Sequence, residues 1–271
     1  MRVSMTSVPK RTGRSNEDFT GAVPTGAVLI DGAGIPGSDH TCRHGVAWYA
    51  GRLGASLLGL LALAPDRGLA DLLAEAVARV TDEHRDTCAV TDPISPSATV
   101  AVLRVSGGLA EYLVLGDSVL VLDRADRAPL VVTDPREVVV ARRYEAALQG
   151  VAEGSDAYHR TLRALRANRN APGGFWVAKD DPRAAEEAVT GSCPVSDITS
   201  AALLSNGAGR FVDPFGLAGW TQLMDILASA GPGEVIRRVR QEETRRAVPA
   251  DDATIAYCTG LGEAPRRPGA A

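Results

Sequence analysis

The spacing of apolar residues changes several times along the chain, and these changes predict both helices and strands. In two stretches, 43–64 and 68–84, apolar residues recur every three or four positions, which is typical of helices with one face on a core. In the middle of the chain, after these two stretches, short β-branched segments separated by turn residues predict closely spaced antiparallel strands. The strands predicted there are Ala98–Val105, Glu111–Leu115, Val119–Leu122 and Leu130–Thr133.

The remaining pattern also mixes strands with helices. The predicted elements are a β-type N-terminus, a strand at 27–30, a helical and arginine-rich stretch over 141–200, a strand at 201–205, two helices near 216–246 and a last strand at 254–258. Because helices are inserted into an antiparallel plan and no alternating βα units occur, we expect an α+β fold. We assign residues 1–261 to one domain and predict a disordered tail over 262–271.

One apolar stretch, 46–64, approaches the length that spans a bilayer and carries a single charge, Arg52. Arg52 lies near its centre, four positions are Gly or Ser, and the apolar residues recur at helical spacing. We therefore expect a buried helix of a soluble protein. A membrane-associated protein anchored through this segment is the alternative.

Composition and charge exclude several classes of protein. With 45% hydrophobic and 23% charged residues among 271, the chain is neither disordered nor fibrous. Its net charge of −4 and the absence of a long basic run argue against non-specific nucleic-acid binding. The four cysteines show neither metal-ligand spacing nor a dense disulfide pattern, and no histidine cluster has zinc spacing. The N-terminus also lacks the apolar segment of a signal peptide, so we expect a cytoplasmic protein.

Acidic or amide residues beside glycines, at the ends of predicted strands, are the candidate functional residues. The segments are Glu17-Asp18, Asp31-Gly32, Gly116-Asp117-Ser118, Ser205-Asn206-Gly207 and Asp251-Asp252. Carboxylates that converge from several strand ends provide the oxygen ligands that a hard divalent ion requires. For each segment alone, an ordinary hairpin turn is the simpler interpretation. The order of the segments along the chain is more specific.

That order resembles the metal-dependent protein phosphatases of type 2C. The segments that carry the resemblance are NED (16–18), DGAG (31–34), SPSATVAVLR (95–104), LVLGDS (113–118), LLSNGA (203–208) and DDATIAYC (251–258). Two further stretches, CRHGVAWYA (42–50) and PGGFWVA (172–178), are similar to a set of actinobacterial members. The family implies a four-layer α-β-β-α sandwich, two antiparallel sheets flanked by helix pairs, with a variable flap region at about 141–200.

The resemblance also implies a cofactor and a reaction. Members bind two Mg²⁺ or Mn²⁺ ions, with a third held more loosely, and a metal-activated water attacks phosphorus without a covalent intermediate. Asp31 matches the aspartate that bridges the two ions, and Gly32 matches the residue whose carbonyl is a ligand. Glu17 matches the glutamate on one ion, and Asp18 beside it would hold a water.

On the other ion the match is incomplete. Asp251 matches its aspartate ligand, Asp252 takes the family's Asn or Asp place, and Asp117 matches the aspartate that can hold the third ion. Asn206 stands where the family has a metal-ligating aspartate, which leaves three ligand carboxylates for two divalent ions. We expect either weaker binding at Asp251 and Asn206, most of all for the third ion, or compensation by Asp18, Asp117 or Asp252. An asparagine here is also the change that one would engineer to trap a substrate complex.

Two other positions depart from the family pattern. Ala33 replaces a histidine that some members carry after Asp-Gly as a general acid. The phosphate-binding arginine normally lies four residues before the glutamate, where this chain has Gly13. Arg14 or Arg11 must then fill the role, and we favour Arg14.

A few basic and sulfur-containing residues allow two interpretations. His40 and His44 precede a predicted helix behind Asp31 and are either proton donors or metal neighbours, or simply packed polar groups. Cys42 has no base to make it a nucleophile, so we interpret it as a small residue at a helix start. Three arginines at helical spacing could grip an anionic substrate, with a solvated helix face as the default. They are Arg160, Arg163 and Arg166.

The function that the resemblance favours is Mg²⁺- or Mn²⁺-dependent hydrolysis of phosphomonoesters. The expected partner is a protein carrying phosphoserine or phosphothreonine, and a small phosphorylated metabolite is an alternative because fold does not fix substrate. No nucleic acid or membrane is expected as a partner. A pseudophosphatase that only binds a partner is the competing hypothesis; Asn206 supports it, and the remaining carboxylates oppose it.

Overall fold

Two five-stranded antiparallel sheets form the centre of the molecule. The computed structural model describes residues 1–35, 40–152 and 154–262, so the predicted tail after Gly262 lies outside the described residues. The first sheet contains, in spatial order, β1 (Arg2–Val8), β10 (Ala253–Thr259), β9 (Ile198–Leu204), β6 (Val119–Arg124) and β7 (Arg127–Val132). The second contains β2 (Asp18–Val23), β3 (Gly26–Ala33), β4 (Ser97–Ser106), β5 (Leu109–Leu115) and β8 (Val189–Pro194).

Helix pairs cover the outer face of each sheet. The helices are α1 (Val46–Leu63) and α2 (Leu69–His84) on the second sheet, and α6 (Trp220–Ala230) and α7 (Pro232–Arg246) on the first. A third pair, α3 (Arg136–Leu148) and α4 (Asp156–Arg166), forms a small cluster of its own with Phe175 and Val177. A single helical turn, α5 (Asn206–Gly209), follows β9. The predicted α+β four-layer sandwich is therefore confirmed.

The alternation of side chains along a strand builds three apolar layers from two sheets. On β3, Ala27 and Leu29 point between the sheets, whereas Val28 and Ile30 point toward α1 and α2. All four are fully buried, which requires an unbroken apolar run instead of alternation with polar residues. This run ends at Asp31, so the core itself places the first candidate ligand at the edge of the sandwich.

The sequence pattern missed two strands. The pattern predicts no strand at residues 18–23 and a helical stretch over residues 189–194. In the structure, these segments form β2 and β8. Each of these lies at the edge of the second sheet and is only partly buried, so it lacks the apolar pattern of an inner strand. Pairing with β3 and β5, which is not visible in local sequence, decides their conformation.

Among the described residues, α1 is the one helix long and apolar enough to cross a membrane. In the structure, its buried face, which includes Leu53 and Leu57, packs against β2, β3 and α2. The close approach of α1 to β2 depends on Gly54, because a Cβ there would lie 2.0 Å from Cδ1 of Phe19 on β2. The structure thus agrees with the prediction of a buried helix.

This contact predicts opposite effects for two glycines of α1. Gly54→Ala should lower the free energy of unfolding by about 1–3 kcal/mol, because the added methyl must displace the Phe19 ring. Gly59→Ala, the matched control, adds a methyl with nothing within 4 Å. It should raise stability by up to about 1 kcal/mol, since alanine has the higher helix propensity. Urea unfolding measures both; equal effects of the two changes would contradict the packing described.

Candidate metal centre

Two aspartates face each other where β2 begins and β3 ends. Asp18 and Asp31 are paired directly across the antiparallel ladder, so their side chains share one face of the sheet. Asn16 holds this end of β2 in place, because its Oδ1 accepts the Asp18 N–H at 2.9 Å. Gly32 N–H donates to the Glu17 carbonyl at 3.1 Å, and a Cβ at Gly32 would lie 2.3 Å from that oxygen. Only glycine at position 32 allows Glu17 to come this close.

The opposite sheet contributes Asn206, the first residue of α5. Its backbone N–H donates to Asp31 Oδ2 at 2.7 Å, and its side-chain Nδ2 donates to Asp117 Oδ2 at 2.7 Å. Asn206 therefore connects carboxylates from β3 and from the turn after β5. Gly207 beside it is required because a Cβ there would lie 2.0 Å from the Asp252 carbonyl oxygen.

Asp117 is positioned by the turn between β5 and β6. Gly116 has φ +80°, and a Cβ there would meet Thr99 Cγ2 at 2.5 Å. The buried hydroxyls of Thr99 on β4 and Ser118 are hydrogen-bonded at 2.6 Å, which ties the turn to the neighbouring strand. The Gly-Asp-Ser segment thus directs the Asp117 carboxylate toward Asn206.

The two final aspartates have different environments. Asp252 is buried, and its carboxylate accepts the backbone N–H groups of Lys10 at 2.6 Å and Glu17 at 3.1 Å. It ties the segment between β1 and β2 to the start of β10. Asp251 is more exposed and accepts from Arg210 at 3.1 Å. Of the pair, Asp251 has the more accessible carboxylate and stays the candidate ligand.

Lys10 is a cation at this site that the sequence pattern did not single out. Its Nζ lies 2.5 Å from Glu17 Oε2 and 3.5 Å from Asp252 Oδ2. Burial would lower the pKa of Lys10, but the hydrogen bond and charge of Glu17, with Asp252, raise it above its ordinary value. Arg14, the expected phosphate-binding residue, lies exposed in a turn closed by Arg14 N–H to the Arg11 carbonyl. The signal that could have found Lys10 is a cation after an N-terminal strand, upstream of Glu17.

Burial and mutual repulsion dominate the electrostatics of the facing aspartates. Burial raises the pKa of Asp18 to about 7, against a smaller opposing effect of the nearby Thr254 and Ser205 hydroxyls. Burial, followed by the charges of Asp18 and Asp117, raises the pKa of Asp31 well above its ordinary value. Burial also raises the pKa of Asp117 to about 6. Each carboxylate is therefore costly to ionise without a cation nearby.

This arrangement fits divalent cations with oxygen ligands. Both oxygens of Asp18 are buried without a well-formed hydrogen bond, a cost that a bound ion or its water would remove. Among the described residues, no three of the carboxylates each place an oxygen within 4.8 Å of the others. The shell would therefore include waters and the Asn206 amide oxygen, as Mg²⁺ commonly keeps several waters.

The flap region adds positive charge beside Asp117. Arg166 pairs with Glu137 at 2.5 Å, and Arg163 pairs with Asp92 at 3.2 Å. Arg169, which the sequence analysis did not single out, is buried, and none of its three guanidinium nitrogens has a hydrogen-bond partner. Burial, and then the charge of Arg166, lowers its pKa to about 9. Arg160 stays exposed, in agreement with a solvated face at that position.

Comparison with known proteins identifies the family. Residues 10–180 match the family model described as protein phosphatase 2C. The chain belongs to this family. Family and fold together make it a metal-dependent hydrolase of phosphoric monoesters. No protein of curated function matches the sequence.

Solved structures of bacterial phosphatases share the fold of this 2C-type chain. The PPM Ser-Thr phosphatase MsPP from Mycobacterium smegmatis, in complex with cacodylate, is 18% identical over 96% of this chain and 98% of its own, with a TM-score of 0.59. The serine/threonine phosphatase Stp1 from Staphylococcus aureus is 12% identical over 95% and 94%, with a TM-score of 0.57. The catalytic domain of the serine threonine protein phosphatase PstP, with two manganese ions, is 14% identical over 95% and 97%, with a TM-score of 0.58.

The raised pKa of Asp18 predicts a pH dependence of stability in a chelating buffer. Between pH about 4 and about 7, native Asp18 keeps a proton that the unfolded chain has released, because its pKa rises from 3.8 to about 7. Stability must therefore fall as the pH rises through this window. Asp18→Asn removes the ionisation, so the variant should gain stability over the parent as the pH rises from 5 to 8.

Urea midpoints of the parent and Asp18→Asn at both pH values measure this difference, which includes the effect of the Asp18 charge on Asp31. Asp225→Asn on the exposed face of α6 is the matched control, and its difference from the parent should not change with pH. A parent-to-Asp18→Asn difference that is the same at pH 5 and pH 8 would contradict the proposed environment of Asp18.

Proposed function

We propose that this chain is a Mn²⁺- or Mg²⁺-dependent phosphatase that hydrolyses phosphoserine or phosphothreonine in proteins. The observation that carries the proposal is the convergence on Asp31. Asp18 faces it across the strand pair, and Asn206 from the opposite sheet donates to it while also donating to Asp117. Elements of both sheets thus bring the candidate ligands together around Asp31 at the edge of the sandwich.

Asp31 would be a ligand of two ions, and the other candidate ligands would divide between them. Glu17 and the Gly32 carbonyl would hold one ion, and Asp251 with the Asn206 amide oxygen would hold the other. Asp117 is the candidate for a third, but its carboxylate already accepts a hydrogen bond from Asn206. When bound, the ions would activate water for attack at phosphorus and neutralise the phosphoryl oxygens.

The protein's own groups orient the reactants. The unpartnered carboxylate of Asp18 can accept a hydrogen bond from the attacking water and take its proton. The Lys10 ammonium has three N–H donors, of which contacts to Glu17 and Asp252 use two. The third is free to donate to a phosphoryl oxygen, the role that sequence predicted for Arg14. Arg14, on the exposed turn nearby, remains a second candidate for that role.

A groove beside the flap supports a protein substrate over a small metabolite. It has a volume of about 460 Å³ and is lined by Arg136, Arg143, Pro172 and Trp176, among others. Arg136 is held by Asp134, whose backbone N–H donates to the Gly116 carbonyl next to Asp117. The groove therefore begins at Pro135, next to this contact with the turn that carries Asp117, and residues flanking a phosphoresidue would bind there.

A pseudophosphatase is the second candidate, and one contact favours it. The hydrogen bond from Asn206 to Asp117 satisfies two candidate ligands without any ion. Two features oppose it: the unpartnered carboxylate of Asp18 and the raised pKa of Asp31. In a protein that binds no metal, both would lower stability without a compensating role.

The test compares hydrolysis of an aryl phosphate with increasing Mn²⁺ by the parent, Asp31→Asn and Asn206→Asp. The parent should turn over, and Asp31→Asn should lose activity by at least about a thousandfold, because the shared ligand loses its charge. Asn206→Asp restores a fourth ligand carboxylate, so it should lower the Mn²⁺ concentration for half-maximal activity about tenfold, equivalent to about 1.4 kcal/mol.

Asp225→Asn is again the control and should behave as the parent. Activity only in Asn206→Asp would make this chain a pseudophosphatase. Activity that survives in Asp31→Asn would contradict the proposed centre.

The groove predicts a specific effect on protein substrates. Arg143→Ala should raise the KM for a phosphopeptide with acidic flanking residues about fivefold, since one charge-assisted contact is lost. It should leave hydrolysis of the aryl phosphate unchanged. Arg142→Ala, a neighbouring exposed arginine that does not line the groove, is the matched control. An equal effect of Arg143→Ala on both substrates, or on neither, would favour a small phosphorylated metabolite as substrate.

A further inference from the structure

A second candidate metal site lies outside the carboxylate centre, between α1 and α2. It consists of Cys42 and His44, just before α1, and His84 and Cys88, at and after the end of α2. Among the described residues, this is the one group of three or more Cys, His, Asp or Glu side chains whose ligand atoms all lie within 4.8 Å of one another.

Four of the six distances between the ligand atoms lie in the range of the edges of a tetrahedral site, and all six are within 4.8 Å. Cys42 Sγ lies 3.4 Å from Cys88 Sγ, 3.8 Å from His44 Nδ1 and 3.6 Å from His84 Nδ1, and Cys88 Sγ lies 3.4 Å from His44 Nδ1. Zn–S bonds of about 2.3 Å and Zn–N bonds of about 2.0–2.1 Å at tetrahedral angles place such atoms about 3.3–3.8 Å apart. A metal ion can therefore enter with little movement of the ligands.

The backbone and the aromatic neighbours hold these ligands in place. The Ala89 N–H donates to the Thr41 carbonyl at 2.7 Å, which joins the two ligand segments directly beside Cys42 and Cys88. The His44 ring stacks on Trp48, with ring centroids 4.4 Å apart, and Trp48 also packs against His84 at 5.1 Å. The imidazole positions are thus set by packing before any ion binds.

We propose that these four residues bind one Zn²⁺ ion in a closed, structural site. Two thiolates and two neutral imidazoles are the soft, tetrahedral ligand set that selects zinc over Mg²⁺ or Mn²⁺. The two thiolates also balance the charge of the ion. Because the protein supplies all four ligands, with Cys42 and His84 buried, no position is left open for a substrate.

A disulfide between Cys42 and Cys88 is the competing interpretation. It would account for the proximity of the two sulfur atoms, but not for the two histidine nitrogens that lie within hydrogen-bond distance of them. Sequence spacing did not reveal the site, because its two halves, Cys-x-His and His-x₃-Cys, are separated by 39 residues. Only the packing of α1 against α2 brings them together.

The site would fix the entry to α1 beside the carboxylate centre. Val46, two residues after His44, begins α1 and lies against Gly32 and Gly34. Cβ atoms at these glycines would be 2.7 Å and 2.5 Å from the Val46 methyl groups. Zinc would thus anchor the helix start that packs on Gly32 and Gly34, directly after Asp31.

The test uses Co²⁺ as a spectroscopic probe, added to the reduced, metal-free full chain. One equivalent should produce the intense visible absorption of tetrahedral cobalt and a sulfur-to-cobalt charge-transfer band, and one equivalent of Zn²⁺ should abolish both. Cobalt at oxygen ligands gives only weak absorption, so the Asp31→Asn variant should give the same intense spectrum as the parent.

Cys88→Ser, at the partly exposed ligand, should lose the charge-transfer band and retain no zinc after dialysis, as should Cys42→Ser at the buried one. Cys193→Ser, which alters a cysteine on β8, is the matched control and should retain one zinc. The proposal is overturned if the parent shows no tetrahedral spectrum, if Cys42 and Cys88 form a disulfide in its place, or if the signal persists in both Cys→Ser variants. None of these readouts depends on phosphatase activity.

Discussion

The repulsion between carboxylates brought together at the edge of two sheets is the constraint on which this structure depends. The fully buried run of β3 ends at Asp31, and the opposing sheet delivers Asn206 to the same point. Burial and neighbouring negative charge raise the pKa of Asp31 far above its ordinary value. Such a cluster is retained only if something positive compensates it, and in the structure Lys10 and the backbone N–H groups do so in part.

The same constraint explains why glycines and an amide surround the site. Gly32 and Gly207 lie where a Cβ would collide with a backbone oxygen, so the ligands can approach only without side chains there. Asn206 lowers the total negative charge by one and donates a hydrogen bond to Asp117. The chain thereby loses electrostatic attraction for a third ion and gains a hydrogen bond that forms without any ion. Metal affinity therefore decides between an enzyme and a pseudophosphatase.

Much of the fold was predictable because inner strands and amphipathic helices carry their burial in local sequence. The edge strands β2 and β8 were not, since pairing and not pattern determines them. At the centre, acidic residues at strand ends singled out Asp18, Asp31 and Asp117 as candidates, and the structure brings them together around the start of β2 and Asn206. The same pattern does not reveal Lys10, because only the fold of the loop between β1 and β2 brings its ammonium to Glu17. The Cys42–Cys88 cluster was missed for the same reason: its halves meet only through helix packing.

Two metal centres of opposite chemistry would then lie on either side of the contact between Val46 and Gly32: oxygen ligands at Asp31, and sulfur and nitrogen ligands just before α1. The central claim is that Asp31 is shared by two divalent ions. Anomalous diffraction from crystals grown with Mn²⁺ tests it most directly. The account predicts two anomalous peaks flanking Asp31, one beside Glu17 and one beside Asn206 and Asp251, with Lys10 displaced from Glu17. Crystals grown at saturating Mn²⁺ that show no anomalous peak at Asp31, with Lys10 Nζ still bonded to Glu17, would contradict it.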